Sequence, residues 1–199
     1  MDSVTLITRP RRFGKTLTIS MLERFFSIQY YNESAIFEHL DIWKYPEYRE
    51  IMGTYPAMER GLMTGITRVS KESIFSDLNN MEVVTTTSVK YADVYGFTED
   101  EVFSALDEYG LSDIKDKVKR WYDGFLFGNS KDIYNPWSII NLLDKKQLGT
   151  YWANTSANGL IAKLIQEGDR NIKQLFETLL KGESIVCEID EQIIYNQLS

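Results

Sequence analysis

The apolar positions follow two different rhythms along the chain. Val4-Thr5-Leu6-Ile7 is a short β-rich run, and Leu17, Ile19, Met21, Leu22, Phe25 and Phe26 then recur at helical spacing, predicting a strand, a loop and a helix from about Lys15 to Ser27. Gln29–Asn32 is a polar-aromatic break, followed by a short apolar turn, Ile36–Leu40. Trp43, Tyr45, Tyr48 and Ile51 precede an extended turn at Gly53-Thr54-Tyr55-Pro56. Leu62–Ile66 reads as a second strand. Ser70-Lys71-Glu72-Ser73 can cap a short helix carrying Ile74, Phe75 and Leu78, and the Asn79-Asn80 turn leads into a β-branched third strand, Val83–Thr87.

From residue 98 the pattern becomes helical. Thr98-Glu99-Asp100-Glu101 is a capping box opening a helix with Val102, Phe103, Ala105 and Leu106, ended by Gly110. Ser112 can cap the next helix, which carries Ile114, Val118, Trp121 and Tyr122. Asn135-Pro136 sets an N-cap before proline at the first helical position. Helical runs at about Gly159–Gln166 and Asn171–Lys181 stop at Gly168 and Gly182, and Ser184–Ile189 reads as a strand. The expected division is an α/β core over residues 1–97 and a helical lobe with a C-terminal strand over 98–199. No repeat or low-complexity linker separates them, so the two lobes are expected to pack together.

Composition narrows the function. With 199 residues, 43% of them hydrophobic, the chain can build a core. A net charge of −7 argues against direct nucleic-acid binding, so the cations Arg9, Arg11, Arg12 and Lys15 form a local positive spot suited to a compact polyanion. One cysteine, Cys187, cannot form an internal disulfide. No run approaches the length of a membrane span and no signal segment opens the sequence, so the expectation is a soluble cytoplasmic protein with no membrane partner. His39, the single histidine, has no Cys or second His nearby and is expected at a surface or half-buried helix position.

The polar loop after the first strand carries the chemistry. Arg9-Pro10-Arg11-Arg12-Phe13-Gly14-Lys15-Thr16 ends in Gly-Lys-Thr between a strand and a helix, the context of a phosphate-binding loop. A helix N-terminus offers unpaired N–H groups and partial positive charge to an anion. Gly14 would allow close backbone approach, Lys15 would reach the terminal phosphates, and the Thr16 hydroxyl would ligate Mg²⁺. The full motif has glycine where Arg9 stands. Glycine there supplies a positive φ, so Arg9 with the rigid Pro10 implies a loop of altered path. The plainer alternative is a basic turn that caps an ordinary helix.

This loop, in this form, resembles the predicted AAA-ATPase-like proteins that in bacteria often carry a C-terminal PD-(D/E)XK nuclease domain. Further blocks resemble that family in the same order: Thr64-Gly65-Ile66-Thr67-Arg68 continuing to Asn80, Trp121-Tyr122-Asp123-Gly124, Tyr134-Asn135-Pro136-Trp137-Ser138, and Tyr151–Ser156. The resemblance implies a P-loop ATPase sheet, here with few strands, followed by an α-helical lid. It implies ATP and Mg²⁺ as cofactors, with Arg11, Arg12, Phe13, Gly14, Lys15, Thr16, Thr64 and Arg68 around the nucleotide and Thr16 on the metal. The family's acidic Walker B strand has no counterpart here, because the chain runs from Gly53-Thr54-Tyr55-Pro56 directly to Ala57-Met58-Glu59-Arg60. The start also looks shortened, and no nuclease domain follows within Ser199. Ile185–Glu191 superficially offers an apolar run ending in Asp190-Glu191, but Glu188 interrupts it and the resemblance places it beyond the lid.

Two functions follow. One is a nucleotide-binding, AAA-ATPase-like fragment whose hydrolysis is weak or absent, because the acidic pair that orients the attacking water is missing. The other is a non-catalytic interaction module with a vestigial loop. Nuclease activity would belong to a domain this sequence does not contain. In the P-loop architecture that the resemblance implies, the missing Walker B strand would leave Leu62–Ile66 at a sheet edge, open to self-association.

Overall fold

The computed structural model describes residues 4–54, 61–66, 81–153 and 165–186, and the fold is mixed α/β. The first sheet has three parallel strands. β1 (Val4–Thr8) lies between β2 (Gly61–Gly65) and β3 (Met81–Val84), with Leu6 opposite both Met63 and Val83. A central parallel strand is covered on both faces, which suits the uninterrupted apolar and β-branched character of β1; Leu6, Ile7 and Thr8 are all buried. Parallel pairing requires a long crossover. That from β1 to β2 contains α1 (Lys15–Phe26), three 3₁₀ turns and α2 (Pro46–Ile51).

The second and third strands begin earlier than the β-branched pattern indicates. β3 stops before Thr85 because Ser88 Oγ takes the Thr85 N–H at 3.0 Å and the Thr85 and Thr87 hydroxyls lie 2.8 Å apart. Side-chain bonds to the local backbone compete with the ladder and turn the chain. Around the end of α1, Phe25, Phe37 and Met52 form a small separate core. Gly53 closes it with φ +64, its N–H donating to the Phe25 carbonyl at 2.8 Å. His39 is exposed.

In the second half, α3 (Glu99–Glu108) begins with the expected capping box between Thr98 and Glu101. α4 spans Lys115–Tyr122. Ser112 does not cap it. Ser112 instead opens a 3₁₀ turn, Ser112–Ile114, that leads directly into the helix. α5 (Pro136–Lys145) has Asn135 as N-cap, its side chain accepting from the Ser138 N–H at 3.2 Å. α6 (Arg170–Leu180) is capped by Asp169 and followed by Gly182 at φ +78. Ser184–Val186 is not strand. The rest of that expected strand, the expected helix after Ser70, most of the one near residue 160, and Arg68, Cys187, Asp190 and Glu191 lie outside the described residues.

Between α4 and α5 the helical pattern is interrupted by an antiparallel hairpin, β4 (Phe125–Phe127) with β5 (Ser130–Ile133). Its strands are too short to show alternation. Gly128 sits at its tip with φ +52, donating its N–H to the Thr86 carbonyl at 2.9 Å; a Cβ there would stand 2.4 Å from the Ser88 carbonyl oxygen. So close an approach admits only glycine. The hairpin thereby joins the first core: Phe127 and Ile133 pack with Ile7, Phe13, Val84, Ala92 and Tyr95. A second core in the helical half gathers Val102, Leu106, Val118, Tyr122, Tyr134, Ile139 and Leu142. Among the described residues no helix is long and apolar enough to cross a membrane.

Two measurable consequences follow from this architecture. Burial first, and then the neighbouring Asp132 carboxyl, raise the Asp123 pKa above its ordinary value. The folded chain therefore holds this proton to higher pH than the unfolded chain, and the group's contribution to stability falls as pH rises from about 4 through the raised value. Asp123→Asn is expected to gain stability over the wild type at pH 7 but not at pH 4 in urea unfolding. An equal difference at both pH values would contradict this.

The second consequence concerns β2, which pairs only with β1 among the described residues and leaves Met63 38% exposed. An unpaired strand edge is a template for another chain. Met63→Lys is expected to shift sedimentation equilibrium toward monomer, and a wild type that stays monomeric at high concentration would refute this.

Candidate functional site

The loop after β1 is built on a buried cation. Arg9 extends the ladder through its N–H, which donates to the Gly65 carbonyl at 3.0 Å. Its side chain is 0% exposed and turns inward, where Nη1 donates to the carbonyls of Thr8 and Thr85, both at 2.8 Å, and Nη2 to the Tyr91 carbonyl at 2.7 Å. The guanidinium also lies over the Phe127 ring at 4.8 Å. Arg9 is therefore not part of the surface positive spot. Nor does it take the positive φ that glycine supplies in the full motif; within this loop the left-handed residues are Arg12 (φ 65) and Gly14 (φ 75). The altered path moves the left-handed turn toward α1.

Phe13 fixes the middle of the loop. Its ring is buried and meets Phe125 and Phe127 edge-on, with centroids 4.9 and 5.4 Å away. Its side chain belongs to the core, so it offers the site backbone only. Gly14 is the N-cap of α1 with no side-chain cap, and no acidic residue occupies the first turn. A Cβ added to Gly14 would meet nothing within 4 Å, so the helix N-terminus faces open space. Lys15 Nζ donates to the Arg9 and Pro10 carbonyls at 3.0 and 2.7 Å. An ammonium has three donors, so one remains. Burial and then the Arg11 charge lower the Lys15 pKa. An anion beside it would relieve both. Thr16 is exposed at the second position of α1.

These residues open onto a cavity of about 460 Å³, bounded by residues 12–18 on one side and by Val94–Phe97, Pro136, Trp137 and Ile140 on the other. Two later segments are latched to the loop at one atom: the Arg11 carbonyl accepts from Asn135 Nδ2 at 3.2 Å and from Trp152 Nε1 at 3.1 Å. The Arg12 guanidinium lies over the Trp137 ring at 4.7 Å. Tyr95, 2% exposed, borders the cavity, and its buried hydroxyl meets no partner in hydrogen-bond geometry. Burial raises its pKa, while the Thr18 hydroxyl, itself donating to the Gly14 carbonyl at 3.2 Å, pulls the other way from outside good bonding geometry.

Of the residues expected around a ligand, the structure gathers Arg12, Gly14, Lys15 and Thr16 at the cavity, with Phe13 contributing backbone. Arg11 contributes its carbonyl to the latch. Thr64 pairs with Ile7 one residue before the end of β2, on the same carboxyl side of the sheet as the loop. Arg68 lies outside the described residues. Sequence reading missed Val94, Tyr95, Phe97, Trp137 and Ile140 as cavity residues. The available signal was the polar-to-apolar change at Asn135-Pro136-Trp137, read as a helix start and as a block of the resemblance but not as part of the site.

Residues 1–60 match the family model described as Predicted AAA-ATPase. The resemblance noted above is supported over these residues, which contain the whole loop. The chain is also 30% identical over 108 residues to an uncharacterized protein in the vnfD 5' region of Azotobacter chroococcum mcd 1. That similarity covers 53% of this chain and spans 20% of the relative's length. No solved structure matches.

The geometry at Arg9 is testable. Arg9→Lys keeps the charge but cannot bridge three carbonyls in separate segments, and leaving a buried carbonyl unpaired costs about 1–3 kcal/mol. A thermal midpoint several degrees lower is expected by circular dichroism, and an unchanged midpoint would show that Arg9 does not hold the loop.

Proposed function

We propose that this chain binds a nucleoside polyphosphate at the loop Arg11–Thr16, with Mg²⁺, and hydrolyses it slowly or not at all. The observation that carries this reading is the uncapped N-terminus of α1 facing a cavity with Lys15 beside it. Unpaired N–H groups, the helix dipole and a partly desolvated ammonium converge on one space, and each favours an anion. Three features support the fit of a ligand larger than a lone phosphate: the cavity volume, the unsatisfied Tyr95 hydroxyl and the apolar far wall. The family description attached to residues 1–60 loosely implies nucleotide and Mg²⁺ use.

Thr16 would hold the metal through its hydroxyl, the phosphate oxygens supplying other ligands, and the metal would neutralise charge on the phosphates. Lys15 would bind the terminal phosphate. Among the described residues lining the cavity none is a carboxylate, so no described group there takes a proton from water. That supports binding without rapid turnover.

Calorimetric titration with Mg²⁺-ATP tests the reading. Lys15→Ala is expected to weaken binding about ten- to a hundredfold, the worth of one charge-assisted contact. Steady-state hydrolysis should remain below about one per second, under the ordinary range for such enzymes. Equal affinity in the two proteins, or none in either, would leave the non-catalytic interaction module as the reading.

A further inference from the structure

The cavity has two chemically different ends. One is the α1 N-terminus with Lys15 and Thr16; the other is a wall of Val94, Phe97, Trp137 and Ile140 contributed by the segment before α3 and by the first turns of α5. Ile140 is 53% exposed although it sits on this wall. Tyr95 also lines the cavity, its buried hydroxyl near the Thr18 hydroxyl of α1 but in no hydrogen bond of good geometry. A buried donor left unsatisfied is costly, so a polar group arriving beside it would be stabilised. An inorganic phosphate would fill only the first end.

Resting on the phosphate-binding reading above, we propose that the apolar end receives the nucleobase, stacked on the indole of Trp137, and that Tyr95 donates to the sugar or the adjoining phosphate. The Arg12 guanidinium lies over the indole at 4.7 Å, and the indole, still 37% exposed, borders the cavity where a base would stack. Base–aromatic stacking tolerates any base because each has a π-face. Little on this wall reads a base edge. Val94 and Ile140 have no polar side-chain atoms, and the Phe97 N–H and carbonyl are both engaged by Tyr134, at 3.1 and 2.8 Å. The site therefore distinguishes nucleotides from bare polyphosphate but discriminates weakly between adenine and guanine.

The experiment titrates ATP, GTP and inorganic tripolyphosphate, each with Mg²⁺, into the wild type, Trp137→Ala, Tyr95→Phe and Lys15→Ala. In the wild type, ATP and GTP should agree within about tenfold, the value of one edge hydrogen bond, and tripolyphosphate should bind at least about fivefold more weakly. Trp137→Ala should weaken both nucleotides about five- to a hundredfold and leave tripolyphosphate unchanged. Tyr95→Phe should weaken the nucleotides about two- to tenfold.

Tripolyphosphate binding as tightly as ATP, or a Trp137→Ala effect equal for all three ligands, overturns the base wall; the latter would mean that Trp137 acts through Arg12. A preference above a hundredfold for either base overturns stacking as the mode of reading. In each of these cases Lys15→Ala still weakens all three ligands. Failure of the phosphate reading looks different, because Lys15→Ala would then leave tripolyphosphate binding unchanged.

Discussion

The buried guanidinium of Arg9 is the contact on which the loop depends. A charge removed from water needs compensation, and here no carboxylate supplies it: three backbone carbonyls and the face of Phe127 do. The carbonyls belong to the end of β1, the end of β3 and the turn before Tyr95. One side chain therefore ties the loop's origin to the segment that carries the cavity's far wall. Burial lowers the Arg9 pKa, yet guanidinium stays charged at any ordinary pH, so this tie does not loosen by titration.

A second tie runs through the Arg11 carbonyl. Asn135 contributes both to this atom and to the N-cap of α5, so the start of α5 is set in position and capped by one side chain. Trp152 reaches the same oxygen from the segment beyond α5. With Arg12 stacked on Trp137, the start of α5 and the segment at Trp152 both meet the two-residue stretch Arg11-Arg12. The loop is a junction between the two halves. That explains how Arg12 is held at φ 65, a conformation that costs a non-glycine residue about 1–2 kcal/mol when nothing compensates.

The parts legible in sequence were those specified locally. The strand–loop–helix around Gly14 needs only a β-rich run, a polar stretch and helical spacing; the capping box at Thr98 and the Asn135-Pro136 start are likewise decided within four residues. The hairpin at Phe125–Ile133 was not legible, because three- and four-residue strands carry too little periodicity and the glycine at its tip is required by a turn about 40 residues upstream. The same reason hid the cavity's far wall. Val94, Tyr95 and Phe97 have no motif of their own, and become site residues only because Arg9 and the hairpin draw their segment against α1. Arg9 itself reads in sequence as one more surface cation and as a fault in the motif. Its burial is decided by carbonyls 76 and 82 residues away.

The charge left at the surface then has a different meaning. With Arg9 withdrawn, Arg11, Arg12 and Lys15 remain, and each is constrained: Arg12 by its indole, Arg11 by the latch on its carbonyl, Lys15 by two loop carbonyls. Burial first, and then the charge of Arg11, make the charged form of Lys15 less favourable. A chain of net charge −7 has many carboxylates that could neutralise such a spot, yet none of the described residues around the cavity is acidic. Under the proposed function, an anion beside Lys15 would offset both effects. That gain would be largest for a ligand carrying several negative charges in a small volume, because each charge adds to the attraction at the one ammonium.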